Sequence, residues 1–244
     1  MAEDQATRVS HGNHMGGRSV GNKKKVRHHV NPLKTVHMKP LNLPDNWASE
    51  AFADPSLPLH VDIGCARGVF CLDLASAAPE LNVCGLEIRN VLAEAAQEDA
   101  RALGMSNAAF FACNANVNLG PLLAARGAAC NFQSASIQFP DPWFKVRHKK
   151  RRVVQPALVS VLADQLPIGG WVWMQTDVLD VAQGMRETVR ETEPTRLRDA
   201  IADIDDWSVA KPDELCGVET ERERASTELE RPVYKCLFFK EAAE

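Results

Sequence analysis

Residues 59–68 read LHVDIGCARG, a short apolar run that ends in Asp62 and Gly64 and is followed by Gly68. This pattern predicts a buried β-strand over 59–64 that leads into a tight turn. Downstream, short apolar runs alternate with longer helical patterns, which predicts a mainly parallel sheet with helices on both faces. Further strands are predicted at 82–88, 107–113, 134–139, 171–176 and 233–239, and helices at 46–52, 69–78, 91–103, 153–166 and 179–192.

The composition indicates one globular domain. A chain of 244 residues has room for a sizeable core, and 45% hydrophobic with 25% charged residues is the globular average. The start, MAEDQATR, lacks the apolar core of a secretory signal, and no run of about 18 apolar residues predicts a membrane span. The seven cysteines form no CxxC pair, which indicates reduced thiols. We therefore expect an intracellular protein, cytoplasmic or nuclear, that is not secreted.

The charge is distributed unevenly along the chain. The net charge is -4, yet residues 1–44 carry eight Lys or Arg against two acids, and residues 145–152 carry six and no acid. This distribution predicts a molecule with one basic face, suited to a polyanion. Residues 1–44 also lack apolar periodicity, so we predict a basic, flexible tail there and a folded domain over 45–244.

The ends of the first two strands favour a nucleoside cofactor, because ligands of such sheets bind beyond the carboxyl ends of the strands. Gly64 and Gly68 permit a tight turn, but the loop is not GxGxxG. Glu87, 23 residues after Gly64, ends the second strand, where an acid can accept hydrogen bonds from both hydroxyls of a ribose. The small Ala66 and the absence of a phosphate-binding signature favour S-adenosylmethionine over a nicotinamide dinucleotide.

Two other strand or loop ends carry polar groups with more than one interpretation. Asn114, after the third strand, could read the edge of an adenine or could be an ordinary turn residue. Residues 220–224 read TERER, which could be a charged surface loop. Its threonine could also serve as a cap or contact a cofactor or a base.

Residues 139–152, FPDPWFKVRHKKRR, are the most unusual stretch. Prolines on both sides of Asp141 restrict the backbone, which indicates a carboxylate that must be held in place. The basic residues that follow predict contacts with phosphates, and the alternatives are a solvated helix face or a nuclear import signal. Trp143 and Phe144 could stack on a base or serve as buried anchors.

Together these motifs resemble the tRNA (guanine-N7)-methyltransferases over about residues 45 to 240. The resemblance rests on VDIGCARG, GLEIR, FPDPWFKVRHKKRR with VVQP, MQTD, and TERE before RPVY, and VRHHVNPL looks most like the plant and cyanobacterial branch. It implies a Rossmann-like class I methyltransferase fold: a mainly parallel seven-stranded sheet with an antiparallel C-terminal strand and helices on both faces. It also implies methyl transfer from S-adenosylmethionine to N7 of a guanine in the tRNA variable loop, without a metal.

The resemblance implies roles for individual residues. Asp141 matches the catalytic aspartate. The cofactor positions are Asp62, Gly64, Glu87, Ile88, Arg89, Asn114, Ala115 and Gln138. The substrate positions are Lys145, Asp177, Thr220, Glu221, Arg222 and Glu223, and the phosphate contacts are Arg147, Lys149, Lys150, Arg151 and Arg152. The loop departs from the family's more usual GxGxG, and Asn114 stands where many members have an acid. The implied partner is tRNA, with a WD-repeat subunit if the chain is eukaryotic.

The implied chemistry needs alignment more than proton transfer. Guanine N7 carries a lone pair and no proton, so direct displacement at the methyl group requires no strong general base. Asp141 could accept hydrogen bonds from the guanine and stabilise the developing cation, with Asp177 assisting. Three alternatives remain open: a methyltransferase for proteins or small molecules, a non-catalytic RNA-binding or scaffold subunit, and a nicotinamide dehydrogenase.

Overall fold

The computed structural model describes residues 30–242, so residues 1–29 of the predicted tail lie outside the described residues. One seven-stranded sheet has the order β3-β2-β1-β4-β5-β7-β6. Strand β7 runs antiparallel to its two neighbours, β5 and β6, and the other strand pairs are parallel. This architecture confirms the predicted fold class. The strands are β1 Pro58–Ile63, β2 Asn82–Glu87, β3 Ala108–Ala112, β4 Asn131–Gln138, β5 Trp171–Thr176, β6 Leu197–Asp199 and β7 Tyr234–Lys240.

Helices follow most strands, as the alternation predicts. They are α1 Trp47–Ala51, α2 Val69–Ala77, α3 Asn90–Ala102, α4 Ala115–Ala124, α5 Pro156–Gln165, α6 Leu179–Thr192 and α7 Glu221–Glu228. Short 3-10 helices cover Thr35–His37, Val146–Arg151 and Asp213–Leu215. The sequence patterns did not predict α4, α7 or the three-residue strand β6.

The sheet is buried on both faces because helices cover each side. In β5, Trp171 and Trp173 belong to the core on one face, while Val172 and Met174 belong to the core on the other. This alternation follows from the two-residue period of a strand. A central parallel sheet of this kind leaves its carboxyl edge as the surface on which polar side chains can converge.

The turn after β1 depends on glycine at its last position. Gly68 has φ +73, and a Cβ there would lie 2.6 Å from Cε1 of Phe110. Both the backbone conformation and the packing therefore exclude a larger residue. The close approach lets α2 begin at Val69, immediately after this turn.

Residues 30–44 contact the domain. The Leu41 N–H donates to Oδ1 of Asn118 at 2.6 Å, and Nδ2 of Asn118 donates to the Lys39 carbonyl at 3.2 Å. Leu41 and Leu43 pack against the main core. The boundary predicted at residue 44 stays a prediction. In the part of the chain that the structure describes, no helix is long and apolar enough to cross a membrane.

Candidate active site

A cleft of about 350 Å³ opens at the carboxyl edge of the sheet. Residues predicted for the cofactor, the substrate and the catalytic role meet in its lining. The predicted residues that line it are Asp62, Gly64, Glu87, Ile88, Arg89, Asn114, Ala115, Gln138, Asp141, Arg151, Thr220, Glu221 and Arg222. The structure thus brings together residues that are up to 160 positions apart in the chain.

The loop after β1 forms the floor of this cleft. Gly64 has φ +91, and a Cβ built on it would meet nothing within 4 Å, so its open side leaves room in the cleft. Ala66 also has a positive φ, 51°, an uncommon conformation for a residue with a side chain. Its N–H donates to Oε2 of Glu87 at 3.0 Å. The loop is thereby fixed to the end of β2.

Glu87 is 3% exposed and its carboxylate is fully hydrogen-bonded within the chain. Oε1 accepts from the N–H and from Nε of Arg89, both at 2.8 Å, and Oε2 accepts from Nη2 of Arg89 at 2.9 Å and from the Ala66 N–H. The hydrogen bond to Glu87 raises the pKa of Arg89, and the charges of Glu87 and Asp141 add to this effect while burial opposes it. A carboxylate offers about four lone-pair positions. Four donors already occupy these positions, so a further donor could bind Glu87 only by replacing one from Arg89 or Ala66.

Asp62 is the second buried carboxylate, with 4% exposure. Its Oδ1 accepts from Oγ of Ser136 at 2.5 Å and from Nε2 of Gln138 at 3.2 Å, and its Oδ2 accepts from Sγ of Cys71 at 3.6 Å. Burial raises the pKa of Asp62, and these hydrogen bonds oppose that effect. The carboxylate is thus held by side chains from β4 and α2.

A buried histidine extends the contacts of Asp62 into the core. Ser136 donates its only proton to Asp62, so its Oγ accepts from Nε2 of His60 at 2.9 Å. The other ring nitrogen, Nδ1, then accepts from Oγ of Ser134 at 2.8 Å. Burial lowers the pKa of His60 to about 3, which agrees with a neutral ring that donates at one nitrogen and accepts at the other.

Asn114 has a structural contact at each end of its amide. Its Oδ1 accepts from the Asn116 N–H at 3.1 Å and caps α4, while its Nδ2 donates to the Pro32 carbonyl at 3.2 Å. The predicted contact with adenine stays a prediction. The side chain lines the cleft, but these bonds already fix its orientation.

The loop that carries Asp141 is strained on both sides. Phe139 and Trp143 have φ of 48° and 44°, a region that bulky residues rarely adopt, at a cost of about 1–3 kcal/mol each. The Phe139 N–H donates to the Gln175 carbonyl at 2.7 Å, and Nε of Arg152 donates to the Pro142 carbonyl at 2.9 Å. These bonds stabilise the strained backbone and place Asp141 at the cleft.

The basic run folds back over Trp143. The guanidinium of Arg151 lies 4.9 Å from the Trp143 ring centroid, and the His148 ring lies 5.7 Å away, edge-on. Trp143 is half-buried and packs within the loop, whereas Phe144 is 71% exposed. Because Trp143 also lines the cleft and Phe144 is exposed, the choice between stacking on a base and anchoring the loop stays open for both residues.

Two of the five predicted phosphate contacts are paired with an acid. Nζ of Lys149 lies 2.8 Å from Oδ1 of Asp180, and the guanidinium of Arg152 bonds the other carboxylate oxygen and the carbonyl of the same residue. Lys150 and Arg147 are exposed on the 3-10 helix. The phosphate role of all five stays a prediction, but Arg152 and Lys149 also connect the basic run to α6.

Helix α7 places three of the predicted substrate residues. Oγ1 of Thr220 accepts from the Glu223 N–H at 3.0 Å, the helix cap that the sequence left open. Arg222 bonds Oδ2 of Asp177 through Nη2 at 2.5 Å. The first turn of the helix therefore connects to the loop after β5.

Some predicted substrate residues are not part of the cleft wall. Glu223 is 5% exposed and accepts from Nε2 of Gln175 at 2.9 Å and from Nζ of Lys211 at 2.8 Å. Glu223 therefore lies behind the wall. Lys145 and Asp177 are also absent from the described lining.

Several polar residues of the site were not predicted from the sequence. Gln175 and Lys211 hold Glu223, and Asp180 pairs with the basic run. A polar residue near the end of the apolar run WVWMQT was the available signal for Gln175. Within residues 30–242, no group of three or more His, Cys, Asp or Glu could hold a metal ion.

The strand order, the antiparallel β7 and the two carboxylates at the carboxyl ends of β1 and β2 define a class I methyltransferase. Two solved structures share the fold. The aminoglycoside resistance methyltransferase NpmB1 aligns with a TM-score of 0.51 at 15% identity over 82% of this chain and 95% of its own. The 16S rRNA methyltransferase KamB aligns with a TM-score of 0.51 at 13% identity over 84% of this chain and 96% of its own.

Sequence comparison is more specific. Residues 56–236 match a family model described as "Putative methyltransferase". A tRNA (guanine-N(7)-)-methyltransferase of Synechococcus elongatus is 45% identical over 90% of this chain and 98% of that protein, and one of Synechocystis sp. is 44% identical over 87% and 96%. The chain belongs to the tRNA (guanine-N7)-methyltransferase family, which confirms the resemblance seen in its motifs.

The buried His60 predicts a loss of stability in acid. Its pKa falls from about 6.5 in the unfolded chain to about 3 in the fold, so its stabilising contribution is complete above pH 6.5 and is lost as the pH falls toward 3. Between pH 6.5 and 5 the loss attributable to His60 should be about 2 kcal/mol of unfolding free energy. Urea titrations at both pH values measure it.

The matched variants for this prediction are His60→Gln and His37→Gln. His60→Gln should remove the part of the stability loss between pH 6.5 and 5 that His60 causes. His37→Gln, at a partly exposed position, should retain that loss. If His60→Gln lost as much stability between pH 6.5 and 5 as the unchanged chain, the buried ring would not be the titrating group.

Proposed function

We propose that the protein transfers a methyl group from S-adenosylmethionine to N7 of a guanine in the tRNA variable loop. The observation that carries this proposal is the position of Asp141. It lines the same cleft as Asp62 and Glu87, and the basic 3-10 helix Val146–Arg151 begins five residues further along the chain. The names of the cyanobacterial relatives support tRNA as the substrate and guanine N7 as the acceptor.

The residues present fit this cofactor. Glu87 suits the ribose hydroxyls, since both of its carboxylate oxygens are held at the cleft by groups that a ligand can displace in part. Asp62, a buried carboxylate in the lining, suits a positively charged amino group. The open side of Gly64 provides room between the two, and Ile88 and Ala115 offer apolar walls for an adenine. When bound, the cofactor supplies an electrophilic methyl group.

The chain's own task is alignment and charge stabilisation. Guanine N7 has a lone pair and no proton, so no residue has to remove one. The strained loop from Phe139 to Trp143 fixes Asp141, which can accept hydrogen bonds from the N–H groups of the guanine edge. Its negative charge also stabilises the positive charge that develops on the purine.

The surroundings of Asp141 are suited to RNA. The exposed basic residues of the 3-10 helix supply phosphate contacts, and Phe144 offers an exposed ring for stacking. A non-catalytic RNA-binding role is not favoured, because Asp62, Glu87 and Asp141 are all in place at the cleft. A WD-repeat partner and the cellular compartment stay predictions.

Replacing Asp141 should separate turnover from tRNA binding. Asp141→Ala removes the charge beside the purine, so kcat should fall by about 10²-fold while KM for tRNA changes by less than about threefold. Methyl transfer to tRNA transcripts measures both constants. Asp141→Asn keeps an acceptor oxygen without the charge and should give an intermediate kcat. A rise in KM for tRNA as large as the fall in kcat would contradict the proposed role.

Neighbouring lysines of the basic run should differ in their share of tRNA binding. Lys150 is exposed, whereas Lys149 is paired with Asp180 at 2.8 Å. Lys150→Ala should therefore lower the slope of log affinity against log salt by about 0.9, and Lys149→Ala should lower it by less. Filter binding of tRNA at several salt concentrations measures both slopes. Equal slopes for the two variants would contradict the pairing argument.

A further inference from the structure

A continuous hydrogen-bonded chain runs beneath the cleft from the cofactor end to the substrate end. Nε2 of Gln138 donates to Oδ1 of Asp62 at 3.2 Å, and Nε2 of Gln175 donates to Oε1 of Gln138 at 2.9 Å. Nε2 of Gln175 also donates to Oε2 of Glu223 at 2.9 Å. Nζ of Lys211 completes the chain with a 2.8 Å bond to the same oxygen. Side chains from β1, β4, β5 and α7 thus form one network that ends at Lys211.

The fold brings these groups together through strand register. Asp62 is paired with Ser136 and Gln138 with Gln175 across adjacent parallel strands. The two-residue period places Gln138 on the same face as Ser136, so the polar side chains form a row on that face. Helix α7 adds Glu223 at the end of this row.

The amide of Gln175 can point in only one direction. Both of its neighbours, Oε1 of Gln138 and the Glu223 carboxylate, are acceptors, and an NH₂ group can donate to two acceptors at once. A flipped Gln175 amide would place its oxygen against both of these acceptor oxygens. Gln175 is 0% exposed, and its Oε1 has no hydrogen-bond partner among the described residues. Burying that oxygen unpaired is unfavourable, which indicates that the two donated bonds outweigh it.

These bonds fix groups at both ends of the cleft. Because Gln138 accepts from Gln175, its own NH₂ group faces Asp62, and a flipped Gln138 would put an oxygen against that carboxylate. At the other end, Glu223 anchors the first turn of α7, where Thr220 and Arg222 line the cleft.

We propose that Gln175 is a positioning residue that couples the cofactor carboxylate Asp62 to helix α7 on the substrate side. It touches neither ligand in this arrangement, since the described cleft lining contains Gln138 but not Gln175. This inference rests on the proposed function, because it assigns Asp62 to the cofactor and α7 to the RNA.

Gln175→Met tests the donor role at nearly constant volume. Without the donated bonds, Gln138 is free to turn its oxygen toward Asp62, and α7 loses one anchor. The Kd for S-adenosylmethionine should rise about fivefold to tenfold, and kcat on tRNA should fall by a similar factor. Equilibrium dialysis with labelled S-adenosylmethionine and methyl-transfer assays measure the two effects. Gln165→Met is the matched control, since Gln165, the last residue of α5, accepts a hydrogen bond from Arg126 and is outside this network.

An exchange of side chains distinguishes positioning from a purely structural role. In Gln175→Glu, two carboxylates face each other and the melting temperature should fall. Adding Glu223→Gln restores a hydrogen bond between positions 175 and 223, so the melting temperature should recover. The carboxylate introduced at position 175 still cannot donate to Gln138, so cofactor affinity should stay about fivefold to tenfold weaker than in the unchanged chain.

The outcomes separate the alternatives. Wild-type Kd and kcat in a folded Gln175→Met would overturn the proposal, and so would an exchange variant that recovers cofactor affinity together with melting temperature. If Gln175→Met does not fold, the exchange variant alone decides. Failure of the proposed function would look different, because the unchanged protein would then not bind S-adenosylmethionine or not methylate tRNA.

Discussion

One buried carboxylate, Asp62, sets the constraint on which the rest of the site depends. A carboxylate with 4% exposure is strongly unfavourable unless donors surround it. Ser136 and Gln138 provide donors from β4, and Cys71 provides one from α2. Each donor must itself be oriented, which draws His60 into the network on one side and Gln175 on the other. The polar row in the sheet is therefore a consequence of placing one charge at the end of β1.

The same edge of the sheet also stores backbone strain. Phe139 and Trp143 adopt positive φ around Asp141, and Arg152 bonds the carbonyl of Pro142 while pairing with Asp180 on α6. A loop stabilised from outside in this way holds its carboxylate in one place before any ligand arrives. Catalysis by alignment needs that rigidity, because a guanine nitrogen that already carries a lone pair gains little from proton transfer.

The sequence predicted the strands and the site residues that follow from local residue patterns. Apolar runs located six of the seven strands, and the strand ends identified Asp62, Glu87 and Asp141 as residues that meet at one edge. Helix α4 was missed because Gly120 and Pro121 interrupt its pattern, and α7 because it is nearly all polar. The contacts of Glu223 with Gln175 and of Arg152 with Asp180 were missed because these residues lie 48 and 28 positions apart in the chain and meet only in the fold.

The most direct test of the proposed function is methyl transfer by the unchanged protein to unmodified tRNA transcripts, with the labelled nucleotide mapped. The proposed function predicts label on a variable-loop guanine, and no label when that guanine is replaced by 7-deazaguanine, which lacks the N7 lone pair. Label that persists in the 7-deaza transcript, or that maps to another nucleotide, would contradict it. Cofactor binding without transfer to any tRNA would contradict the assignment of the substrate and leave the cofactor site intact.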